Sequence, residues 1–179
     1  SNKTYLWATP FEKGLKVVLE NRGRKTVVLF SGNPFWYGAG NIIINSLKRK
    51  EWISFHSPSS FSLASSKLGW AIQNTVCLGL HHKPINSIRS QLAPNTKFLL
   101  LLKNGSSVKK LAHFLSYEGF GKSELSVMES LGYKNEKIRK VKADKLNFND
   151  IKHPVCVGVY VKGQGDIITE SAGKPDYFF

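Results

Sequence analysis

Residues 26–40 read TVVLFSGNPFWYGAG. Thr26 to Phe30 is a short apolar run of the buried-strand type. It leads almost directly into Gly32, and Gly38 and Gly40 follow closely. In an open α/β sheet, ligands collect beyond the carboxyl ends of strands. Glycines at such a place let the backbone approach a ligand closely. Pro34 stiffens the turn, and Phe35, Trp36 and Tyr37 add flat apolar surface beside it. The plain alternative is a turn whose aromatics pack into the core. Neither G-x-G-x-x-G nor G-x-x-x-x-G-K-[ST] occurs, so this is not a dinucleotide or phosphate loop of the familiar kinds.

The pattern on either side alternates. Upstream, a helix is predicted from Pro10 to about Asn21, with Phe11, Leu15, Val18 and Leu19 on one face and Gly23 as its stop. Downstream, a helix is expected from Asn41 to about Lys50, then a strand from Trp52 to His56. Ser59 and Ser60 open a helix that runs to about Leu68 and closes at Gly69. The second half reads strand (75–81), short helix (84–92), strand (97–102), a helix capped by Ser106, strands near 125–129 and 139–142, and a last strand over 154–161. Such alternation implies an α/β fold with substantial parallel pairing. The expected organisation is an α/β lobe over 1–73, a second over 74–163, and a polar, Gly-rich tail over 164–179 that packs poorly unless a further domain holds it. The Lys-rich stretch 134–145 reads as a solvated edge strand.

Composition narrows the classes. The chain has 179 residues, 41% hydrophobic and 12% aromatic, enough for a core and too much for global disorder. No apolar stretch approaches the length of a membrane span, and no basic-then-apolar leader is visible. Cys77 and Cys156 cannot by themselves make a disulfide framework or a zinc site. A cytoplasmic setting is therefore expected. Twenty-six basic against 12 acidic residues leave a net charge of +14. That field favours an anionic partner, with solubility as the plain alternative. The basic residues form no run of five or more, which argues against a nucleic-acid tail.

Other segments carry weaker signals. His56 to Gly69, HSPSSFSLASSKLG, places Ser59 and Ser60 at a helix start, where amides and hydroxyls can hold a polar ligand head or merely cap the helix. In Leu78 to His82, LGLHH, Gly79 suggests a close backbone approach. His81 and His82 would point to opposite faces of a strand, so no metal site is expected there. No G-x-S-x-G elbow occurs, Cys156 between valines reads as inert, and no catalytic residue is assigned.

Taken in order, several segments together resemble one family. They are Pro10-Phe11 with Gly14-Leu15, Arg22-Gly23-Arg24, VVLFSGNPFWYGAG, SPSSFSLASSKLGW and VCLGLHHKP. The Glu118–Gly121 turn, and Glu129 to Gly132 with Glu136 and Arg139, extend the match, which runs from about Trp7 to Val161. The chain is similar to the C5-methylating (CbiE-type) part of the precorrin-6Y C5,15-methyltransferases, within the tetrapyrrole methylase superfamily. The resemblance implies two α/β lobes with S-adenosylmethionine in the cleft between them. It implies C-methylation of a precorrin at C5 in cobalamin biosynthesis, with S-adenosylhomocysteine as product. The cofactor-binding residues carried over are Gly32, Asn33, Pro34, Tyr37 and Gly38, then Ser59, Ser60 and Phe61, then Leu78, Gly79 and Leu80. An acidic tetrapyrrole is the expected substrate, with Arg22, Arg24, Arg49, Arg89 and Arg139 as candidates for its carboxylates. A fused or separate C15-methylating, decarboxylating domain is an implied partner, and GKPDYFF at the C-terminus resembles the linker to it. A homodimer would suit such lobes. No nucleic-acid or membrane partner is expected.

Two departures accompany the resemblance. Asn33 stands where the family usually has the Asp of Gly-Asp-Pro. The family's opening strand and Gly-rich turn have no counterpart before Trp7. Two competing readings arise: an RNA methyltransferase of the same superfamily, and a truncated module that holds tetrapyrrole without catalysis. The sequence is silent on whether the substrate carries cobalt.

Overall fold

The structure is a computed structural model, and it describes residues 3–168. The chain divides into two compact units between Ser59 and Ser60. That point lies upstream of 71–74, where the sequence suggests a change of lobe. The last residues of the tail, 169–179, lie outside the described residues.

The first unit is organised by aromatic packing on one helix, α1 (Phe11–Glu20). Trp7 packs at a tilt against Phe11, ring centroids 4.8 Å apart, and meets Phe30 at 6.0 Å. Gly14 makes this possible, because a Cβ there would sit 2.5 Å from the Trp7 ring. The predicted helix after the glycine loop is shorter than expected. It is one turn, α2 (Gly40–Ile44), followed by a 3-10 turn at Arg49–Glu51. Arg22 grips Glu51 with two hydrogen bonds of 2.6 and 2.5 Å.

The predicted strands at 26–30 and 52–56 are not strands in the structure. Both segments are extended but join no ladder among the described residues. Their side chains still alternate: Val28 and Phe30 are half-buried, while Val27 and Leu29 point outward. A strand is defined by its partner's hydrogen bonds. Apolar runs therefore signal a strand without supplying one.

The second unit is a five-stranded sheet in the order β1-β2-β5-β3-β4. The strands are β1 (Val76–Gly79), β2 (Lys97–Leu102), β3 (Glu124–Glu129), β4 (Lys137–Lys142) and β5 (Val155–Tyr160). β1 and β2 are parallel, and the other three pairings are antiparallel. Parallel pairing is thus less extensive than the alternation implies. The helix α4 (Gly105–Tyr117) does carry the chain from β2 to a strand of the same direction, β3. The late strand β5 then fills the gap between them.

The two faces of the sheet follow the period-2 rule. Phe98, Leu100, Leu125, Val127, Val157 and Val159 face α4, whose Val108, Leu111 and Leu115 are fully buried against them. Leu99, Leu101, Met128 and Cys156 face α3 (Ser60–Leu68), which contributes Phe61 and Ala64. Gly158 leaves room for Leu68, whose Cδ1 would lie 2.5 Å from a Cβ at that position. The cap of α4 is Asn104 rather than Ser106, because the Asn104 Oδ1 accepts the Ser107 N–H at 3.0 Å. Residues 163–165 also pack more closely than a loose tail would. A Cβ on Gly163 would lie 2.4 Å from the Gly119 carbonyl oxygen, and Gly165 lies against Glu118 and Phe120. No helix among the described residues is long and apolar enough to cross a membrane.

Candidate functional site

The glycine loop is a knitted structure. Asn33 and Pro34 open a β-turn closed by the Trp36 N–H to the Asn33 carbonyl at 3.4 Å. Asn at the first position and Pro at the second are the residues such a turn favours. Pro34 donates nothing itself, but its carbonyl accepts the Gly40 N–H at 2.9 Å. The chain returns so tightly that a Cβ on Gly38 or Gly40 would lie 2.5 or 2.6 Å from that same oxygen. These two glycines therefore answer to the loop's own backbone. Between them and the turn, Tyr37 adopts φ 55, a left-handed conformation that an aromatic residue rarely takes. Such strain gathers where a loop is shaped for a ligand. Phe35 turns inward and packs on Trp52 at 5.6 Å. Trp36 and Tyr37 remain partly open to solvent.

The structure brings two of the sequence-selected segments together. Gly32, at φ 69, lies against Pro58 and Ser59: a Cβ there would be 3.6 Å from the Pro58 carbonyl oxygen. Ser59 is buried, and Ser60 begins α3. Phe61 gives its ring to the core beside Leu99 and Met128, and the residue as a whole is buried.

The third segment belongs to the second unit. Leu78 and Leu80 direct their side chains to the core beneath α4, and Leu80 donates its N–H to the Leu101 carbonyl at 2.8 Å. β1 is an edge strand, paired through β2 alone. Gly79 at its end and Leu80 just after it are buried. His81 and His82 meet edge to face at 4.7 Å. Burial, helped by His82, lowers the proton affinity of His81. Among the described residues no group of three or more His, Cys, Asp or Glu could hold a metal ion. Burial, with Cys77 nearby, pushes the Cys156 thiol up to about 12, so it stays protonated.

Most of the candidate arginines are occupied. Arg22 holds Glu51, Arg89 holds Glu118 and the Asp166 carbonyl, and Arg49 lies over the Trp52 ring at 4.4 Å. Arg139 reaches Glu129 at 2.7 Å and Asp150 at 2.5 Å. The Glu129 carboxylate is nearly sealed from solvent and also takes the Lys152 N–H. Glu136, likewise prominent in the sequence, accepts the Gly132 N–H at 2.9 Å and pairs with Lys67 of α3 at 2.6 Å. The Gly132 bond, then Lys67, hold its carboxyl below the usual range. These residues brace the sheet and α3. What sequence reading missed is this bracing role; Glu129 opposite Lys137 on a hairpin was the available clue.

A mixed five-stranded sheet with helices packed on both faces makes this an α/β protein. The tetrapyrrole (corrin/porphyrin) methylase model matches residues 12–147, and the chain belongs to that family. The whole chain is 32% identical over 182 residues to a precorrin-6Y C(5,15)-methyltransferase [decarboxylating] of Sinorhizobium sp., and spans 44% of that protein. Among solved structures, the cobalamin-biosynthesis precorrin-6Y methylase CbiE of Archaeoglobus fulgidus aligns over 90% of this chain and 74% of its own, with TM-score 0.59 and 17% identity. A uroporphyrin-III C-methyltransferase of Thermus thermophilus, solved with S-adenosyl homocysteine, aligns over 83% of this chain and 69% of its own, with TM-score 0.60 and 16% identity. At these identities the structural likenesses concern the fold.

Proposed function

We propose that this chain is the C5-methylating part of a precorrin-6Y methyltransferase, using S-adenosylmethionine in cobalamin biosynthesis in the cytoplasm. The observation that carries the reading is the match along the entire chain to a relative named for that reaction. The residues fit the cofactor in kind. The loop of Gly32, Asn33, Pro34, Tyr37 and Gly38 offers backbone groups beside open aromatic surface. Ser59 lies against Gly32 of this loop, and Ser60 and Phe61 follow it in sequence. Leu78 and Gly79 lie on β1, the outer strand of the sheet, and Leu80 follows it.

When bound, S-adenosylmethionine supplies an electrophilic methyl group on sulfur. The chain's own contribution is to hold the reactants in line and exclude water, which can provide most of the acceleration for such a displacement. That chemistry requires no acid–base pair. An acidic precorrin suits the net charge of +14. Of the five candidate arginines, Arg24 is the one whose side chain makes no ion pair or ring contact among the described residues. It is therefore the candidate whose guanidinium is uncommitted and exposed. Partnership with a C15-methylating, decarboxylating domain, fused or separate, belongs to the same proposal.

Calorimetric titration with S-adenosylhomocysteine tests this directly. Saturable one-to-one binding is expected. No heat from a chain shown by circular dichroism to be folded would overturn the reading, and would favour a module that holds tetrapyrrole alone. Retention on RNA that weakens steeply with salt would favour an RNA methyltransferase instead.

A further inference from the structure

The resemblance expects an aspartate where Asn33 stands, which suggests at first a lost charge aimed at a ligand. Its local bonds say otherwise. The Asn33 Oδ1 accepts the backbone N–H of Phe35 at 2.8 Å. A backbone N–H can only donate, so the side-chain oxygen must face the loop and the amide nitrogen must face away. The same residue's carbonyl accepts the Trp36 N–H. One residue thus closes two concentric rings, an Asx turn inside a β-turn, with Pro34 fixing the intervening dihedral.

The geometry points to Asn33 as a positioning residue whose side-chain oxygen shapes the loop, its side chain making no contact with the cofactor. This rests on the methyltransferase reading above. An aspartate places an equivalent oxygen at the same distance from the backbone, so the two residues are interchangeable in the role. Three features of the loop depend on the turn: the inward Phe35 on Trp52, left-handed Tyr37, and the return of Gly40 to Pro34. Opening the Asx ring frees the segment that must hold these positions.

Four variants of the full chain separate shape from contact. Asn33→Asp keeps the oxygen and removes the NH2. Asn33→Ser offers a hydroxyl oxygen that closes the ring less well. Asn33→Gln keeps the amide but sets it one methylene too far out. Asn33→Ala removes both. Titration with S-adenosylhomocysteine should give Asn33→Asp within about threefold of the parent, Asn33→Ser between, and Asn33→Gln and Asn33→Ala each weakened roughly tenfold. Rescue by Asp with failure by Gln is an ordering that an amide–ligand contact does not produce. If Asp falls as far as Ala, or Gln restores binding, the inference is wrong.

A second measurement needs no ligand. The Phe35 amide, followed by NMR hydrogen exchange, should stay protected in the parent and in Asn33→Asp, and exchange roughly tenfold faster or more in Asn33→Ala and Asn33→Gln. Equal exchange in all variants would overturn the turn itself. If exchange follows the oxygen but the parent binds no S-adenosylhomocysteine, the turn stands while the methyltransferase reading, and the cofactor half of this inference, fall.

Discussion

Leu100 and Leu29 sit in similar apolar runs, KFLLLL and TVVLF. Leu100 is fully buried, whereas Leu29 is 87% exposed. The first run became a central strand, paired on both sides with its faces under α4 and α3. The second is extended but has no ladder, and half of its apolar side chains face outward. The lesson is that local pattern reports a capacity for burial. The energy is realised only where partners close on both edges and both faces.

The largest expected difference tests that contrast directly. Phe98→Ala, in the buried face beneath α4, should destabilise the second unit by about 3–5 kcal/mol. Leu29→Ala should change stability by less than about 0.5 kcal/mol. Urea unfolding followed by circular dichroism and hydrogen exchange reads both. A Leu29→Ala loss as large as that of Phe98→Ala would break the comparison, since the segment would then be covered in solution.

A middle-sized effect sharpens it. Both units contain a glycine that admits a neighbour, yet the neighbours differ. A Cβ on Gly14 meets the rigid Trp7 ring, and one on Gly158 meets the end of Leu68. Gly14→Ala should cost about 1–3 kcal/mol by overpacking. Gly158→Ala should cost less, because the Leu68 terminus can turn aside. Thermal melts of the two variants would decide, and the reverse order would show the first unit to be the more adaptable.

The smallest effect concerns charge. The first unit holds its extended segments partly by the exposed Arg22–Glu51 pair. The Arg22 side chain, then the Lys48 N–H, hold the Glu51 carboxyl at about 2. A depressed carboxyl contributes stability above its unfolded value, near 4.5, and that contribution drains away as pH falls toward 2. Exposure makes the gain small. Arg22→Gln should raise the Glu51 midpoint in an NMR titration, though not to the unfolded value while Lys48 remains bound. An unchanged midpoint would remove the pair from the account.

Much of the second unit was legible. The strand Lys97–Leu102 falls where its unbroken apolar run places it. Gly69 and Gly119 end α3 and α4 at φ 65 and 83, a conformation that suits glycine. Of the candidate site, the sequence showed the residue types and the turn but not their geometry. Asn-Pro announced the turn, but nothing local foretold that Gly38 and Gly40 answer to the Pro34 carbonyl or that Tyr37 takes a left-handed backbone. Nor could spacing show that Arg139 is held by Glu129 and Asp150. Those pairings join residues that meet only once a hairpin and the following loop have folded.

The sequence by itself determined where the chain turns, which runs can be buried, how the faces of each helix and strand alternate, and the family to which these belong. These properties arise within a few residues, from backbone sterics and side-chain polarity. Tertiary structure decided which apolar runs became strands, that β5 separates β2 from β3 and makes the sheet largely antiparallel, and which charges brace the fold. Each of these is a pairing between distant segments. Its energy exists only when both partners arrive, so no stretch read alone contains it.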